Sequence, residues 1–290
     1  MAPVLAQVGC PLCGLHSGAV ALEENGYQGR RCEGCGLVYV SPRPPPAEIL
    51  GIYEHDASQT RARQHVAKTR APYALAHDRH LLALLRRHVP GGSLLEIGAG
   101  GGLFLHEARA AGFDVAAIEP NHVLATFIRE QFDIPCETAP LTAESFGGRT
   151  FDAIVHCNVL SHFDDPVAAL TTMAERLVPG GWMVMETGNF ADVDPRYHGL
   201  IARSERFQLP EHLTFFGERS IGALLGRAGL VPVAIHRYSR IPEKRGPGVL
   251  RALGLGRWAD RLRYFLKYTL GRWAPKAGRP QTLIVVARRG

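Results

Sequence analysis

Strand-like and helix-like patterns of apolar residues alternate along the chain from about residue 94. A short apolar run at 94–97 predicts a buried strand, and apolar positions in 103–111 recur at the period of a helix. The same alternation of strand and helix patterns continues to the end of the sequence. Further strands are predicted at 114–120, 134–137, 151–160, 182–187, 231–239 and 282–289, and further helices at 124–131, 165–181 and 220–230.

Alternating strands and helices are typical of a parallel sheet covered by helices. We therefore predict an α/β fold with a Rossmann-like, seven-stranded, mostly parallel sheet and helices on both faces. A preceding helix is expected over 61–89. Leu81, Leu84 and Leu85 fall on one of its faces. The Pro-Gly-Gly sequence at 90–92 ends this helix.

The composition is that of a globular protein without a membrane span. Of the 290 residues, 46% are apolar and 21% are charged, which are ordinary values. The length suits one large domain with a small appendage. We find no run of about 18 apolar residues, the length that a membrane-spanning helix needs. The first ten residues lack the basic start and apolar core of a secretion signal, so we expect a cytoplasmic protein.

Four of the six cysteines form two Cys-x2-Cys pairs near the N-terminus. Cys10 and Cys13 make the first pair and Cys32 and Cys35 the second, with 18 residues between the pairs. This spacing is typical of two-knuckle sites for tetrahedral zinc. The alternatives are two disulfides, which need an oxidising compartment, or four free thiols. With four thiolate ligands, the zinc would have no open position and would be structural.

The expected metal site defines a small N-terminal domain. A segment of about 40 residues buries too little apolar surface to fold alone, so bound zinc would supply its folding free energy. We predict a zinc ribbon over 1–40, a Pro-rich linker over 41–60 and the α/β domain over 61–290. The two remaining cysteines, Cys136 and Cys157, are expected to be packed and reduced.

Positive charge is concentrated near the C-terminal end of the chain. The formal net charge is +6, and residues 237–289 carry 14 Lys and Arg but only two acids, so the rest of the chain is net acidic. The α/β domain is thus predicted to contain a basic insertion at about 240–280. Such a segment would either meet phosphate groups on a substrate or a nucleic acid, or form a solvated surface.

The first predicted strand leads into a glycine-rich turn. The sequence SLLEIGAGGG places Glu96 in the strand and glycines at 98, 100 and 102. A glycine-rich first turn in a strand–helix–strand unit binds an adenosine-type cofactor. The dehydrogenase pattern G-x-G-x-x-G is absent, because Leu103 occupies its last position. Glu119 ends the second strand, where a carboxylate would accept hydrogen bonds from both ribose hydroxyls.

Together these motifs resemble the class I S-adenosylmethionine (SAM) methyltransferases. LLEIGAGGG is similar to their first motif and AAIEP to their second, while FDAIVHCNVLSHFDDP and LVPGGWMVMETGN resemble their fourth-strand and fifth-strand regions. LPEHLTFFGERSIGALLGRAGL and CEGCGLVYVSPRP are similar to segments of one branch, which carries an N-terminal zinc ribbon. That branch resembles sugar C-methyltransferases and quinone-type O-methyltransferases. The resemblance covers residues 10–236 in order.

The resemblance implies a SAM site at the carboxyl ends of the first, second and fourth predicted strands. Glycines let the loop backbone lie against the methionine and ribose parts of the cofactor. Glu96 would orient this loop or contact the methionine ammonium through water. The residues expected to bind SAM are Glu96, Gly98, Ala99, Gly100, Gly102, Glu119, Pro120 and Asn158.

The resemblance also places the acceptor side over the loops after the fourth and fifth strands. His212 would take a proton from an oxygen or carbon acid, or would only hold its loop through a backbone hydrogen bond. His162 would be a second base or would only shape the site. The candidate catalytic residues are His212, His162 and Glu211, and Glu186 and Asn189 are further candidates.

We therefore predict an enzyme, a SAM-dependent methyltransferase with structural zinc. The expected acceptor is a small molecule with an oxygen, nitrogen or carbon centre, and a sugar nucleotide or a secondary-metabolite intermediate is favoured. A phosphate on the acceptor would suit the basic insertion. We expect no specific nucleic acid partner.

Two other functions are compatible with the sequence. One is an RNA methyltransferase, although the predicted ribbon is not strongly basic and lacks aromatic residues interleaved with basic ones. The other is a non-catalytic protein that binds partners through its ribbon. The intact glycine loop with its acidic partner argues against the second alternative.

Overall fold

The computed structural model of the protein describes residues 5–51, 60, 62, 72–190, 207–239 and 280–290. Short 3-10 turns lie at Ser145–Gly148 and Leu160–His162. The helices and longer strands are, in chain order, β1 (Ala19–Glu24), β2 (Tyr27–Arg31), β3 (Val38–Val40), α1 (Pro46–Gly51), α2 (Pro72–Leu85), β4 (Gly92–Ile97), α3 (Leu103–Ala110), β5 (Phe113–Ile118), α4 (His122–Phe132), β6 (Cys136–Glu137), β7 (Phe151–Cys157), α5 (Pro166–Glu175), β8 (Leu177–Gly188), β9 (Thr214–Phe215), α6 (Glu218–Arg227), β10 (Leu230–Ser239) and β11 (Pro280–Arg289).

Seven strands form one sheet in the order β10-β11-β8-β7-β4-β5-β6. The strands from β8 to β6 are parallel to their neighbours, and β11 runs antiparallel to β8 and β10. The predicted seven-stranded, mostly parallel sheet is therefore confirmed. The strand order reverses at β4, since β5 and β6 lie on one side of it and β7 and β8 on the other. Ligands of open α/β sheets bind at such a point, outside the carboxyl ends of the strands.

Helices cover both faces of this sheet, as predicted. Buried residues of α2, α3 and α4 join one hydrophobic cluster, and those of α5 and α6 join another. The predicted apolar face of α2 is confirmed, because Leu81, Leu84 and Leu85 are buried. Burial of such side chains contributes about 1.5–3 kcal/mol each to the stability of the packed layers.

Polar side chains determine where two of the helices begin. The Asn121 side chain caps α4 and the Asp165 side chain caps α5, and each accepts hydrogen bonds from two backbone amides of the first turn. Pro166 occupies the first turn of α5, where its missing amide proton costs nothing. These short motifs are visible in the sequence.

The helix predicted over 165–181 is too long. In the structure α5 ends at Glu175 and β8 begins at Leu177. The backbone amide of Phe151 donates a hydrogen bond to the Arg176 carbonyl at 2.8 Å, so strand pairing begins before the Pro-Gly-Gly sequence. A contact distant in the sequence thus ends the helix earlier than the local stop signal predicts.

The N-terminal segment forms a second, antiparallel sheet in the order β1-β2-β3-β9. Its first three strands come from residues 19–40, but the fourth lies just before α6. Val38 pairs with Phe215 and Tyr39 with Thr214. A strand from the C-terminal half therefore completes the small sheet and joins it to the body of the protein.

Further contacts cross the boundary predicted at residue 40. The Ser41 hydroxyl and the Val8 backbone amide are 3.1 Å apart. The buried Arg43 guanidinium forms an ion pair with Asp164, which lies before α5. The segment predicted as a linker is thus packed at these positions and contains α1. The division into 1–40, 41–60 and 61–290 remains a prediction.

Some predictions fall on residues that lie outside the described ranges. These residues include almost all of the basic insertion at about 240–280 and positions 63–71 of the helix predicted over 61–89. Within the described ranges, no helix combines the length and apolar character that crossing a bilayer requires.

Candidate functional site

The glycine loop (residues 98–102) lies at the carboxyl end of β4. The backbone amide of Gly98 donates to the Ile118 carbonyl at 2.7 Å, which ties the loop to the end of β5. Gly98 has a φ of 71°, and a Cβ atom there would overlap the Val159 side chain. Gly102 also has a φ of 71°, and a Cβ there would lie 2.9 Å from Cγ1 of Ile128. Close packing inside the protein thus requires glycine at both positions.

Glu119 bonds directly to the glycine loop. Its Oε2 atom accepts a hydrogen bond from the Gly100 amide at 2.7 Å, and its Oε1 atom accepts one from the Asn121 amide at 2.9 Å. Burial raises the pKa of this carboxyl group, and the two amides partly oppose that effect. Glu119 therefore links β5 to the loop after β4, and this function is additional to the ribose contact that the sequence predicts.

The predicted SAM-binding residues are brought together at the point where the strand order reverses. Glu96 lies within β4, and the glycine loop, which includes Ala99, follows it. Glu119 and Pro120 follow β5, and Asn158 follows β7 on the other side of β4. The backbone amide of Asn158 donates to the Glu186 carbonyl at 2.8 Å.

An acidic cluster (the buried Glu96 and Glu186 and the half-buried Asp78) lies beside this point. Glu96 Oε2 is buried and has no hydrogen-bond partner among the described residues. Burial, together with the charges of Asp78 and Glu119, raises the pKa of Glu96 well above its usual range. The same three carboxyl groups act on Cys157. Burial, followed by the charges of Glu186, Glu96 and Asp78, raises the pKa of its thiol. The arrangement favours a cation here.

His77 partly balances the acidic cluster. Its Nε2 atom lies 2.7 Å from Glu186 Oε2, and its Nδ1 atom lies 3.1 Å from Asp78 Oδ1. Burial alone would lower the pKa of His77, but attraction to Glu186 and the bonds to both acids raise it to about 9. The protonated imidazole thus connects α2 to the end of β8 through its bond to Glu186.

Asp78 and His77 were not among the predicted site residues. They lie in the HDRH sequence of α2, a helix that was predicted from its apolar face alone. The signal that was available is the run of four polar, titratable residues directly before Leu81. Glu186, a further candidate from the sequence, lies in the cluster.

The two predicted catalytic histidines form a close pair. The ring centroids of His162 and His212 are 4.5 Å apart in an edge-to-face arrangement. His212 Nδ1 donates to the Phe207 carbonyl at 2.8 Å, and His162 Nδ1 donates to the Glu211 carbonyl at 3.1 Å. A carbonyl only accepts hydrogen bonds, so both Nδ1 atoms carry a proton. In neutral His212 the Nε2 atom therefore holds the lone pair.

Both histidines are held in the neutral form. Burial, followed by the proximity of His212, lowers the pKa of His162 to about 4. Burial also lowers the pKa of His212, and the Phe207 carbonyl and the charges of Glu211 and Glu24 act in the opposite direction. A neutral imidazole can accept a proton near pH 7.

The histidine pair lies close to the predicted cofactor side. His162 also interacts with the backbone of Asn158, and the amide of Leu213 donates to the Ser161 carbonyl at 2.7 Å. The histidine loop (residues 207–213) is thus attached to the segment that follows β7. The structure brings His162, His212 and the backbone of Glu211 together, whereas their roles in catalysis remain predictions.

Aromatic side chains surround the histidine loop. Phe190, Phe207 and Phe215 pack against one another with ring centroids 5.0–5.8 Å apart, and Phe215 lies 6.3 Å from the His212 ring. Asn189 is buried beside them, and its side-chain nitrogen and oxygen have no partner among the described residues. The histidine loop therefore lies beside an apolar wall and beside a buried amide that no described residue pairs.

The four-cysteine cluster (Cys10, Cys13, Cys32 and Cys35) fits a zinc ribbon. All four Sγ atoms lie within 4.8 Å of one another. The Cys10–Cys35 and Cys13–Cys32 sulfur distances are 3.5 and 3.3 Å. Four thiolates about 2.3 Å from one tetrahedral ion would be about 3.8 Å apart, so small movements suffice.

The backbone around the cluster suits thiolate ligands. Gly14 donates to the Cys10 carbonyl and Gly36 to the Cys32 carbonyl, and both glycines have a φ of 78°, so the two knuckles repeat one conformation. Burial raises the pKa of the Cys10 thiol and raises that of Cys35 to about 11, whereas at Cys32 burial is outweighed by hydrogen bonds from nearby amides and from Cys13, which lower the pKa to about 7. A bound cation would stabilise the thiolates further.

Comparison with known proteins identifies the chain's family. A family model described as a methyltransferase domain matches residues 66–235, which is more than half of the chain. This match contains the glycine loop, Glu119, Asn158 and both paired histidines.

Curated relatives carry one recurring name. A ubiquinone biosynthesis O-methyltransferase of Cereibacter sphaeroides is 36% identical over 121 residues, which cover 40% of this chain and 48% of the relative. The chain thus spans about half the length of the first relatives that it matches. A protein of the same name from Ruegeria sp. is 30% identical over 211 residues, covering 69% of this chain and 72% of the relative.

Solved structures show the same architecture at low identity. A 1,6-didemethyltoxoflavin-N1-methyltransferase of Burkholderia thailandensis superposes with a TM-score of 0.54 at 16% identity, covering 92% of this chain and 97% of the other. The [4+2]-cyclase SpnF superposes with a TM-score of 0.55 at 17% identity, covering 85% and 97%. Similarity at this level shows the fold alone. The family match and the Ruegeria relative carry the assignment: the chain belongs to the family of SAM-dependent methyltransferase domains.

Proposed function

We propose that this protein transfers the methyl group of SAM to a hydroxyl group on a small aromatic or enolic ring. One observation carries the proposal. The neutral His162–His212 pair is attached, through Asn158, to the edge of the sheet where the glycine loop lies. A proton acceptor thus stands next to the place where this family binds its methyl donor.

The cofactor would be held by the glycine loop and the residues around it. Each Glu119 carboxylate oxygen has a second lone pair besides the one that accepts from the Gly100 or the Asn121 amide, so both remain able to accept from ribose hydroxyls. The acidic cluster supports the same placement, because SAM carries a cationic ammonium and a sulfonium that buried carboxylates would stabilise. Glu96, Gly98, Ala99, Gly100, Gly102, Pro120 and Asn158 would complete this site.

His212 would act as the general base. The acceptor hydroxyl gives its proton to Nε2 of His212, and its oxygen attacks the methyl carbon of SAM in line with the C–S bond. The C–S bond breaks as the new O–C bond forms, and S-adenosylhomocysteine leaves. His162 and Glu211 would place and polarise the base, since His162 packs on its ring and the Glu211 charge favours protonation.

An aromatic or enolic ring suits the chemistry of this site. A phenol-type hydroxyl ionises near pH 10, so a neutral imidazole can assist its deprotonation. The rings of Phe190, Phe207 and Phe215 supply an apolar wall beside His212. The recurring name of the relatives, ubiquinone biosynthesis O-methyltransferase, supports an oxygen acceptor.

A structural zinc ion would occupy the four-cysteine cluster. Four thiolates leave no coordination position for water or acceptor, so this ion would stabilise the ribbon and take no part in the reaction. We also propose the ribbon over 1–40, the linker over 41–60 and the methyltransferase domain over 61–290 as the domain organisation.

Methyl transfer from labelled SAM tests the acceptor class. We expect label in low-molecular-weight catechols and phenolic acids, and none in sugar nucleotides or in RNA. The reason is that the proposed base and its apolar wall suit a ring hydroxyl. Products would be separated by chromatography and counted. Stoichiometric label in RNA, or in a sugar nucleotide alone, would overturn the proposed acceptor.

Replacing Glu119 by Ala is expected to weaken binding of S-adenosylhomocysteine at least tenfold. The change removes both ribose contacts and the bond that ties Gly100 to β5, and hydrogen bonds to a charged group contribute about 1.5–3 kcal/mol each. Isothermal titration calorimetry measures the effect. Glu130→Ala is the matched control, because it removes an exposed acid from the adjacent α4. Wild-type affinity in Glu119→Ala would contradict the assigned cofactor site.

A further inference from the structure

The turn between β1 and β2 contacts the histidine loop. Glu24 uses both carboxylate oxygens: Oε1 accepts from the Phe207 amide at 3.0 Å, and Oε2 accepts from the Leu209 amide at 2.9 Å. Glu24 belongs to the ribbon sheet, and more than 180 residues of sequence separate it from its two partners. A carboxylate bound to two amides holds a loop more firmly than a neutral acceptor would.

The neighbouring residue supplies a third bond to the same loop. Asn25 Nδ2 donates to the Leu209 carbonyl at 2.8 Å. Asn25 has a φ of 53°, a conformation that asparagine adopts more readily than most residues. The turn thus presents one acceptor pair and one donor to the histidine loop, and these match the polar backbone groups that they meet.

These bonds surround the carbonyl that orients His212. The amides of Phe207 and Leu209 flank the Phe207 carbonyl, and that carbonyl accepts a hydrogen bond from His212 Nδ1 at 2.8 Å. Fixing both flanking amides fixes the direction of the carbonyl, and this direction sets the plane of the imidazole. Strand pairing adds to the attachment, since the Val40 amide donates to the Leu213 carbonyl at 2.9 Å.

Charge from the same turn also reaches the ring. Among the described residues, the titratable groups that face His212 are His162, Glu211 and Glu24. Burial lowers the pKa of His212, and the negative charges of Glu211 and Glu24 raise it. Through the charge of Glu24, the ribbon therefore offsets part of the lowering of the His212 pKa by burial, which would otherwise make His212 a weaker base.

We propose that Glu24 and Asn25 are positioning residues through which the N-terminal ribbon orients the histidine loop and supports His212 as a proton acceptor. The inference rests on the proposed function of His212. It assigns the ribbon a task inside the methyltransferase domain, in place of an independent binding module.

Two measurements on the full-length protein test this inference without an acceptor. The first is amide exchange of residues 207–212 by mass spectrometry, and the second is the titration of His212 by NMR on histidine-labelled protein. The His212 signal is assigned by its loss in His212→Ala. Zinc content and binding of S-adenosylhomocysteine show whether each variant is folded.

Glu24→Gln is expected to speed exchange of the histidine loop about tenfold and to move the His212 titration down by a few tenths of a pH unit. Exchange rises because the charged acceptor is lost, and the pKa falls because a nearby negative charge favours the protonated ring. Asn25→Gly is expected to speed exchange with little change in the titration, since it removes a hydrogen bond but no charge. Glycine keeps the positive φ of the turn.

Glu23→Gln is the matched control. Glu23 lies next to Glu24 but is exposed, and its carboxylate accepts from the Gln28 side chain. Wild-type exchange and titration in both Glu24→Gln and Asn25→Gly would overturn the inference, and so would equal effects in Glu23→Gln. If Glu24→Gln fails to fold, the Asn25→Gly variant alone tests the inference: faster exchange of the histidine loop supports it, and wild-type exchange overturns it.

The inference and the proposed function fail in different measurements. If His212 is not the base, His212→Ala will keep its methyl transfer rate, while exchange and titration will still respond to Glu24→Gln. If the ribbon does not position the loop, exchange and titration will be unchanged, whatever the rate of His212→Ala.

Discussion

Replacing Cys10 or Cys32 by Ser is expected to release the metal and unfold the ribbon. Coordination of structural zinc supplies about 10–16 kcal/mol of folding free energy in small zinc domains, more than a ribbon of this size gains from apolar burial. Both cysteines are buried, so an unliganded cluster also leaves polar sulfur atoms away from solvent. Metal analysis should find one zinc per wild-type chain and little in either variant.

Unfolding of the ribbon should disturb the histidine loop but leave the cofactor site intact. β3 pairs with β9, and the turn after β1 holds the histidine loop, so both attachments disappear when the ribbon unfolds. The glycine loop is instead tied to the end of β5 by hydrogen bonds in which the ribbon takes no part. We expect methyl transfer to fall with the metal, whereas S-adenosylhomocysteine binding measured by calorimetry should persist.

Cys136→Ser provides the control for the cysteine variants. Cys136 is a buried, free cysteine outside the cluster, so its replacement perturbs the core but not the metal site. Zinc content should be unchanged. A Cys10→Ser or Cys32→Ser variant that remains folded, keeps its zinc and loses turnover would show that the cluster is catalytic.

His212→Ala is expected to lower the rate of methyl transfer by about 10²–10⁴, the usual cost of losing a general base. The rate would be measured with labelled SAM and the acceptor identified in the screen of small phenols. S-adenosylhomocysteine affinity should be nearly unchanged, because the contacts that place Glu119 and the glycine loop do not involve His212. The loss should therefore appear in kcat.

His212→Asn separates the two functions of this side chain. The Asn Nδ2 atom takes the place of Nδ1 and can still donate to the Phe207 carbonyl, but the side chain has no basic nitrogen. We expect its rate to resemble that of His212→Ala. His106→Ala, at an exposed position on α3, should retain the wild-type rate. An unchanged rate in His212→Ala would move the assignment of the base to His162.

Most of the fold was predictable because its signals are local. The apolar runs of the seven strands, the Asp165 cap and the glycine loop each act over a few residues, and each occupies its predicted place. The prediction was wrong at the end of α5, where the bond between Phe151 and Arg176 begins the strand early. No local pattern contains that contact.

The structure brings several of the predicted site residues together for a related reason. Glu96, Glu119 and Asn158 meet because parallel strands bring their carboxyl ends to one edge of the sheet, a consequence of the fold alone. His77 and Asp78 were missed because a polar helical face resembles solvated surface in the sequence. Only packing of α2 over β8 shows that His77 bonds to Glu186 as well as to its neighbour Asp78.

The sequence by itself determined the fold class, the four-cysteine spacing and the resemblance to the methyltransferase family. Those properties depend on periodicity and short motifs, which one stretch of chain displays without its neighbours. Only the tertiary structure decided that β9, which directly follows the histidine loop, completes the ribbon sheet, and that Glu24 accepts hydrogen bonds from two amides of this loop. Such contacts join residues far apart in the chain, and their partners are set by the burial and hydrogen bonding of the whole fold, which local sequence patterns do not encode.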